Sequence, residues 1–295
     1  MTTAVSAVDS SALVDSAVSF TAADFGRIAK FIRWATGIHL TDANERMVYS
    51  RLLHRVRQLG MASFSAYVTC VLDPAFEDER EYLISALTTN TTHFFREPYH
   101  FDFLKNDVMP ELISRARAGD RIRIWSAACS SGEETYSIAL SLLEAFPEAR
   151  KFDIKILGTD IDRRVLALAE AGCYSGATLR AMPESLLKQG FDVGPEPSQW
   201  LVKPEVRGLV AFRYLNLIDV WPFRGRFDVI FCRNVAIYME QSTQEQIWRG
   251  FGEVMLPGGY LFIGHSERLP PSLHQQFSLV GKTVYRMADP IPRQQ

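Results

Sequence analysis

Ile122-Arg-Ile-Trp-Ser-Ala-Ala-Cys-Ser-Ser-Gly-Glu-Glu-Thr-Tyr-Ser-Ile-Ala-Leu140 decides the fold. It reads as a strand, a tight turn of small residues, then an amphipathic helix. Such a unit opens a nucleotide-type α/β domain and places a ligand at its turn. The turn holds one glycine, Gly132, followed by two acids, Glu133 and Glu134. A dinucleotide pyrophosphate wants several glycines and a bare helix N-terminus. Two carboxylates there would repel phosphate and suit a ligand with hydroxyls and a positive charge. S-adenosylmethionine has a ribose, an amino acid and a sulfonium cation, and no phosphate.

Outward from this stretch the chain divides. From Arg121 on, apolar runs alternate with helical patterns. Strands are expected over 121–126, 153–159, 210–214, 227–232, 260–264 and 283–287, and helices over 133–145, 163–171 and 243–255. That alternation predicts a mostly parallel, doubly wound sheet. Residues 191–214, with several Gly and Pro, read as a small β insertion over about 190–214. Upstream the pattern is helical. Thr21 suits the cap of a helix containing Phe25, Ile28, Ile32 and Trp34 that Gly37 stops. Asp42-Ala-Asn-Glu45, a capping-box variant, opens a second helix to about Leu59 and Gly60. Two more patterns cover 63–72 and 76–87, and Pro98 suits the first turn of a later helix. The expected organisation is a loose tail over 1–20, an all-α domain over 21–88 and an α/β domain over 89–290.

Bulk properties narrow the function. A chain of 295 residues, 47% hydrophobic and 22% charged, is ordinary globular material. A net charge of −2 gives no global pull toward nucleic acid or membrane. No apolar run approaches the ~18 residues of a spanning helix, and the polar start lacks a signal-peptide pattern. Cys70, Cys129, Cys173 and Cys232 have no metal-ligand spacing, which fits free thiols in a cytoplasmic protein.

Several residues stand out. Asp160 ends the second strand of the α/β part, 27 residues after Glu133. An acid there accepts ribose hydroxyls in nucleotide folds, although it could also serve as a helix cap. Asp162 suits the cap of the next helix. The apolar run from Phe227 stops at Arg233-Asn234. A buried strand seldom ends so without a polar partner, so a cleft role outweighs a plain salt bridge and turn. Asn90, Thr92 and Arg96 form a polar cluster that gains weight only from lying just before the α/β domain. Arg46, Arg51, His54, Arg55 and Arg57 share one arc of the second helix, with Val48, Tyr49, Leu52, Leu53, Val56 and Leu59 on the other. A solvated face usually mixes signs, so an acidic partner surface is expected rather than nucleic acid. His265-Ser-Glu267 lacks the Gly-x-Ser-x-Gly elbow of a hydrolase, and no metal-binding motif occurs.

Asn90-Thr-Thr-His-Phe-Phe-Arg-Glu97, Trp125-Ser-Ala-Ala-Cys-Ser-Ser-Gly-Glu-Glu134, Asp160-Ile-Asp162, Phe231-Cys-Arg-Asn-Val-Ala-Ile-Tyr238 and Gly264-His-Ser-Glu267 occur in this order. Together they resemble the chemotaxis receptor methyltransferases of the CheR family. The resemblance implies a helical N-terminal domain, a Rossmann-like S-adenosylmethionine-dependent methyltransferase domain and an inserted β subdomain. It implies methyl transfer to glutamate side chains of the chemoreceptor cytoplasmic helical bundle, with S-adenosylhomocysteine as product. Carried over by motif, Asn90, Thr92 and Arg96 would touch the cofactor, Glu133 would lie near its amino acid end and Asp160 would hold its ribose. Asn216, Leu217, Arg233 and Asn234 would line the rest of the pocket. Arg96 and Tyr238 resemble the pair that orients the substrate carboxylate, and the basic helix resembles the receptor-docking face. Some family members also bind a receptor C-terminal pentapeptide at the β subdomain, which raises effective concentration by tethering. The insertion Phe191-Asp-Val-Gly-Pro-Glu-Pro-Ser-Gln-Trp-Leu201 leaves that open here.

A glutamate carboxylate is ionised near neutral pH and needs no general base. Alignment and removal of water can supply ~7–11 kcal/mol of barrier reduction. Arg96 suits a clamp because its planar fork matches a carboxylate. Three competing readings are weaker. A methyltransferase of small acids would not need a basic docking face. A non-catalytic adaptor would not need both Arg96 and Tyr238. An NAD-dependent dehydrogenase would need glycines that Ala127-Ala-Cys-Ser-Ser-Gly132 lacks.

Overall fold

A computed structural model describes residues 18–289. Helices α1 (Ala22–Thr36), α2 (Glu45–Gln58), α3 (Phe64–Leu72) and α4 (Glu77–Leu87) come first. Their apolar faces meet in one cluster built on Phe25, Ile28, Ile32, Val48, Leu52, Val56, Phe64, Val68 and Leu83. Thr21 caps α1 in a reciprocal box with Asp24, and Gly37 ends it at φ 76. Trp34 is not in this core but 75% exposed. It lies two residues past Ile32, about 200° around the helix from it. The second helix also starts differently from expectation. Thr41 and Asn44 form the capping box of a 3₁₀ turn, Asp42–Asn44, and α2 follows it. Leu59 falls beyond the last turn and is exposed. The tail expected over 1–20 lies mostly outside the described residues, but its last part is held: Phe20 packs on Tyr49 and Phe64.

Pro98 starts α5 (Pro98–Phe103), which runs through a π turn, Leu104–Val108, into α6 (Met109–Arg117). Then follow β1 (Ile122–Ala127), α7 (Glu133–Ala145), β2 (Ile154–Asp160) and α8 (Arg163–Ala171). The insertion comprises β3 (Cys173–Ser175), α9 (Gly176–Leu179), α10 (Glu184–Gly190), β4 (Phe191–Val193), β5 (Gln199–Val202) and α11 (Pro204–Arg207). The chain returns with β6 (Val210–Tyr214), β7 (Phe227–Cys232), α12 (Gln241–Val254), β8 (Met255–Ile263), β9 (Phe277–Gly281) and β10 (Val284–Met287). The main sheet has the order β6-β2-β1-β7-β8-β10-β9. β1, β2, β6, β7 and β8 are parallel, whereas β10 runs antiparallel to both β8 and β9. The chain leaves β1 toward β2 and later returns to pair β7 on its other side, which makes the β1/β7 edge the switch point where such sheets bind ligands. Both faces are covered. Phe231 and Phe262 stack at 4.2 Å on one side, and Trp125 packs among Trp221, Phe223, Phe227 and Phe251 on the other.

The insertion is shifted from its expected limits. Its sheet has the order β3-β5-β4, so it begins near Cys173 rather than at 190. Residues 210–214, expected both as a strand of the main sheet and as the end of the insertion, form β6 of the main sheet, where Ile156 pairs with Val210 and Asp160 with Tyr214. As the edge strand β6 is half-exposed, so its alternation resembles that of the small sheet. The three residues of β3 are too few to show any alternation.

The two helical and α/β parts are pinned together at Gly37. A Cβ there would stand 2.8 Å from Ile218 Cγ2, on a backbone already at φ 76. We expect Gly37→Ala to cost about 1–3 kcal/mol, read as a lower urea midpoint. A midpoint equal to the parent's would mean that this junction tolerates a side chain.

Candidate active site

A cavity opens at the carboxyl ends of β1, β2 and β7. Asn90, Thr92, Arg96, Asp160, Asn216, Leu217, Arg233, Asn234 and Tyr238, all singled out in the sequence, line it. Thr36, Ile38 and Thr88 from the helical part also line it, with Cys129 and Ser130 from the β1–α7 turn and Glu134 from the first turn of α7. Thr36, Ile38 and Thr88 carry no motif of their own, whereas Cys129, Ser130 and Glu134 lie within the Trp125–Glu134 motif without having been singled out as cavity residues. Only the Gly-Glu-Glu tandem signalled that an acid would be present.

Backbone strain concentrates here. Among the described residues Phe95, Glu97, Ala128, Ser130, Ser198, Asn234 and Thr283 are the non-glycine residues at positive φ. Ala128, Ser130 and Asn234 line the cavity, and Phe95 and Glu97 flank Arg96. Such residues persist only where the surroundings over-determine them, and they cluster at functional sites.

Asp160 is the last residue of β2 and almost fully buried. Its Oδ2 accepts from Ser130 N at 2.8 Å and its Oδ1 from Asp162 N at 2.9 Å. Burial pushes its carboxyl up to about 6, against the pull of those amides. Asp162 caps α8 by accepting from Arg164 N, and its other oxygen accepts from Ser85 and Asn90. Asn216 donates to Ala35 O, which fastens the end of α1 beside the cavity.

Arg233 is buried among acids. Its guanidinium meets Glu134 at 3.0 Å and Glu97 at 3.3 Å, and also donates to the Arg96 carbonyl. Ser126 donates to Glu134, whose carboxyl burial raises while Arg233 lowers it. Glu267 accepts from the backbone amides of Asn234, Val235, Ala236 and Gly264, and so shapes the loop after β7. Arg96 differs from Arg233. It donates to Thr91 O and has no carboxylate partner among the described residues.

Two expectations need correction. Glu133 does not line the cavity. It is buried, accepts from Ser131 Oγ at 2.7 Å and faces a separate depression lined by His93, Phe95 and Met182. One residue along a helix turns about 100°, so its neighbour Glu134 takes the cavity side. On the basic helix, Arg46, Arg51, His54 and Arg57 are exposed, but Arg55 is withdrawn. It pairs with the buried Glu79 at 2.6 Å, which also accepts from Tyr67. Arg51 donates to the carbonyls of Ala86 and Thr88, so it is also tied to the edge of the cavity.

The donors and acceptors fit S-adenosylmethionine. Asp160 offers acceptors for hydroxyls, Glu134 supplies negative charge, and Ile161, Leu215 and Leu217 form apolar wall. A model of the CheR methyltransferase SAM binding domain matches residues 90–286, and one of the CheR methyltransferase all-alpha domain matches residues 23–88. The chain belongs to the CheR methyltransferase family. It is similar to a probable chemotaxis protein methyltransferase of Rhizobium etli, 45% identical over 85% of this chain and 94% of that one. The chemotaxis protein methyltransferase of Escherichia coli is 39% identical over 90% of this chain and 91% of that one. Chemotaxis protein methyltransferase 2 of Pseudomonas aeruginosa is 40% identical over 91% and 94%. This CheR chain is thus an S-adenosylmethionine-dependent chemotaxis protein methyltransferase.

If Asp160 holds the ribose, hydroxyls donate to its ionised form and binding favours loss of its proton. Affinity is then full above a pH of about 6 and declines as pH falls through that value. Calorimetry with S-adenosylhomocysteine should show this decline between pH 7 and 5. Asp160→Asn should bind about tenfold more weakly at pH 7.5, from ~1.5–3 kcal/mol per charge-assisted bond, and lose the pH dependence. Constant parent affinity down to pH 5 would take Asp160 out of the ribose role.

Proposed function

We propose that this enzyme methylates chemoreceptor glutamates with Arg96 and Tyr238 orienting the acceptor carboxylate. One observation carries the reading. Arg96 is a guanidinium in the cavity without a carboxylate partner among the described residues, while Arg233 beside it already has two. A planar fork without an acid of its own suits an acid from outside. Tyr238, which lines the cavity, is exposed, and its hydroxyl has no hydrogen-bond partner among the described residues. Bound S-adenosylmethionine supplies an electrophilic methyl group. The protein holds the carboxylate in line and removes its water, and the ionised carboxylate needs no base. The clamp must stay weak enough to leave one oxygen reactive.

Receptor helices dock, in this proposal, on the exposed basic residues of α2: Arg46, Arg51, His54 and Arg57. Arg55 supports the fold of the helical part instead, through Glu79. The β3-β5-β4 sheet is the surface that a tethering receptor peptide would use, as the family resemblance implies. The described residues contain no helix long and apolar enough to cross a membrane, and the four cysteines are free, which suits action in the cytoplasm.

Arg96→Ala and Tyr238→Phe should differ in kind. Labelled methyl transfer into receptor fragments should fall about a hundredfold or more for Arg96→Ala, the scale of losing a positioned charged contact. Tyr238→Phe should lower kcat with cofactor affinity kept, since only an orienting hydroxyl is lost. Parent-like turnover by Arg96→Ala would end the clamp reading.

A further inference from the structure

We propose that Glu97 is a positioning residue for methyl transfer, whose carboxylate sets how Arg96 presents its guanidinium. The inference rests on the role of Arg96 proposed above. Glu97 itself is not part of the cavity wall, and its side chain is only 10% exposed.

The backbone around Arg96 supplies the first argument. Arg96 stands between two non-glycine residues in the left-handed region, Phe95 at φ 54 and Glu97 at φ 58. Nothing in such a segment stays put without outside support. Phe95 N is held by Ser137 Oγ at 2.9 Å. Arg96 N donates to His93 O at 3.3 Å and His100 N to the Glu97 carbonyl at 3.0 Å, and further support gathers on the Glu97 carboxylate. Oε2 meets Arg233 at 3.3 Å and accepts from Tyr99 at 2.9 Å. Oε1 accepts from Asn234 Nδ2 at 3.3 Å and from His265 N at 3.3 Å, and shares a hydrogen bond with His265 Nδ1 at 2.8 Å. One side chain therefore joins the Arg96 segment, the loop after β7 and the turn after β8.

The loop closes on Arg96 itself. Arg233, held by Glu97, donates to the Arg96 carbonyl. Arg96 is thus fixed through the residue that follows it and through its own backbone oxygen. Charge gives a second argument. Glu97 and Glu134 together offset Arg233. Arg96 is then the cation left for a carboxylate entering the cavity. Burial alone would raise the Glu97 carboxyl, but His265, Arg233, Tyr99 and Asn234 hold it at about 2, so this charge persists throughout the working pH range.

The test uses the full chain and a receptor fragment. Glu97→Gln keeps the size and removes the charge. S-adenosylhomocysteine affinity should stay within about twofold, because Glu97 lines no part of the cavity, while kcat at saturating cofactor should fall about tenfold or more. The double variant Arg96→Ala with Glu97→Gln should be no slower than Arg96→Ala alone, since both act through one group. Glu97→Asp carries the same cycle should Glu97→Gln fail to fold. Losses that multiply in the double variant, or parent-like turnover by either Glu97 variant beside a slow Arg96→Ala, would overturn the inference. Parent-like turnover by Arg96→Ala would instead overturn the clamp reading on which it rests.

Discussion

A buried guanidinium must be neutralised and hydrogen-bonded, and Arg233 imposes that condition on the whole site. It directly follows β7 at the switch point of the sheet, with its side chain only 2% exposed. Glu134 reaches it from the first turn of α7, Glu97 from the contorted segment before α5, and the Arg96 carbonyl from the same segment. One charge therefore makes three stretches of chain converge that are far apart in sequence. Glu267 complements it from the opposite polarity. A buried carboxylate collects four backbone amides, three of them from the loop that carries Asn234. Cation and anion together give an irregular loop the rigidity of a sheet edge.

The same environment separates the acids by task. Glu97 is surrounded by donors and stays ionised well below the ordinary range, with its carboxyl at about 2. Asp160 has backbone amides but no ion-pair partner among the described residues, and burial prevails, lifting it to about 6. The first is a fixed charge that serves architecture. The second is a carboxylate whose ionisation is costly until a ligand brings donors to it. Such divergence between acids around one site is what marks functional positions.

Much of this was legible in the residues. The strand–turn–helix reading of 122–140 located the ligand edge, and the helices and central strands follow their periodicity closely. Nine of the ten proposed catalytic and cofactor positions line one cavity, because sequence motifs mark the ends of strands and those ends meet at one edge. What failed has physical reasons. The choice between Glu133 and Glu134 depends on helix phase, which two adjacent acids do not reveal. Arg55 looked like its neighbours because its partner, Glu79, is buried on another helix. Strand β9, half-exposed at the sheet edge, has weak patterning. Residues 210–214 were expected as a main-sheet strand, yet the insertion's limit was drawn past them because an edge strand and a small sheet share the same half-buried alternation.

The helical part contributes to the site itself. It supplies Thr36, Ile38 and Thr88 to the cavity wall. Asn216 holds Ala35, Asp162 holds Ser85 and Asn90, and Glu240 meets Arg33 at 2.5 Å and His39 at 3.1 Å. Arg163 pairs with Glu81 at 2.8 Å and lies over Tyr214. Exposed pairs of this kind contribute little singly, but the bonds to Asp162 and Asn216 are part-buried at the cavity rim. Arg51 is exposed on α2 and donates to Thr88 O, beside the cavity wall. A receptor carboxylate drawn to Arg51 would compete with that carbonyl, next to the segment that leads through Asn90 and Thr92 to Arg96. If α2 docks the partner as proposed, docking and the cavity are linked, because Arg51 on that face donates to the carbonyl of Thr88, a residue of the cavity wall.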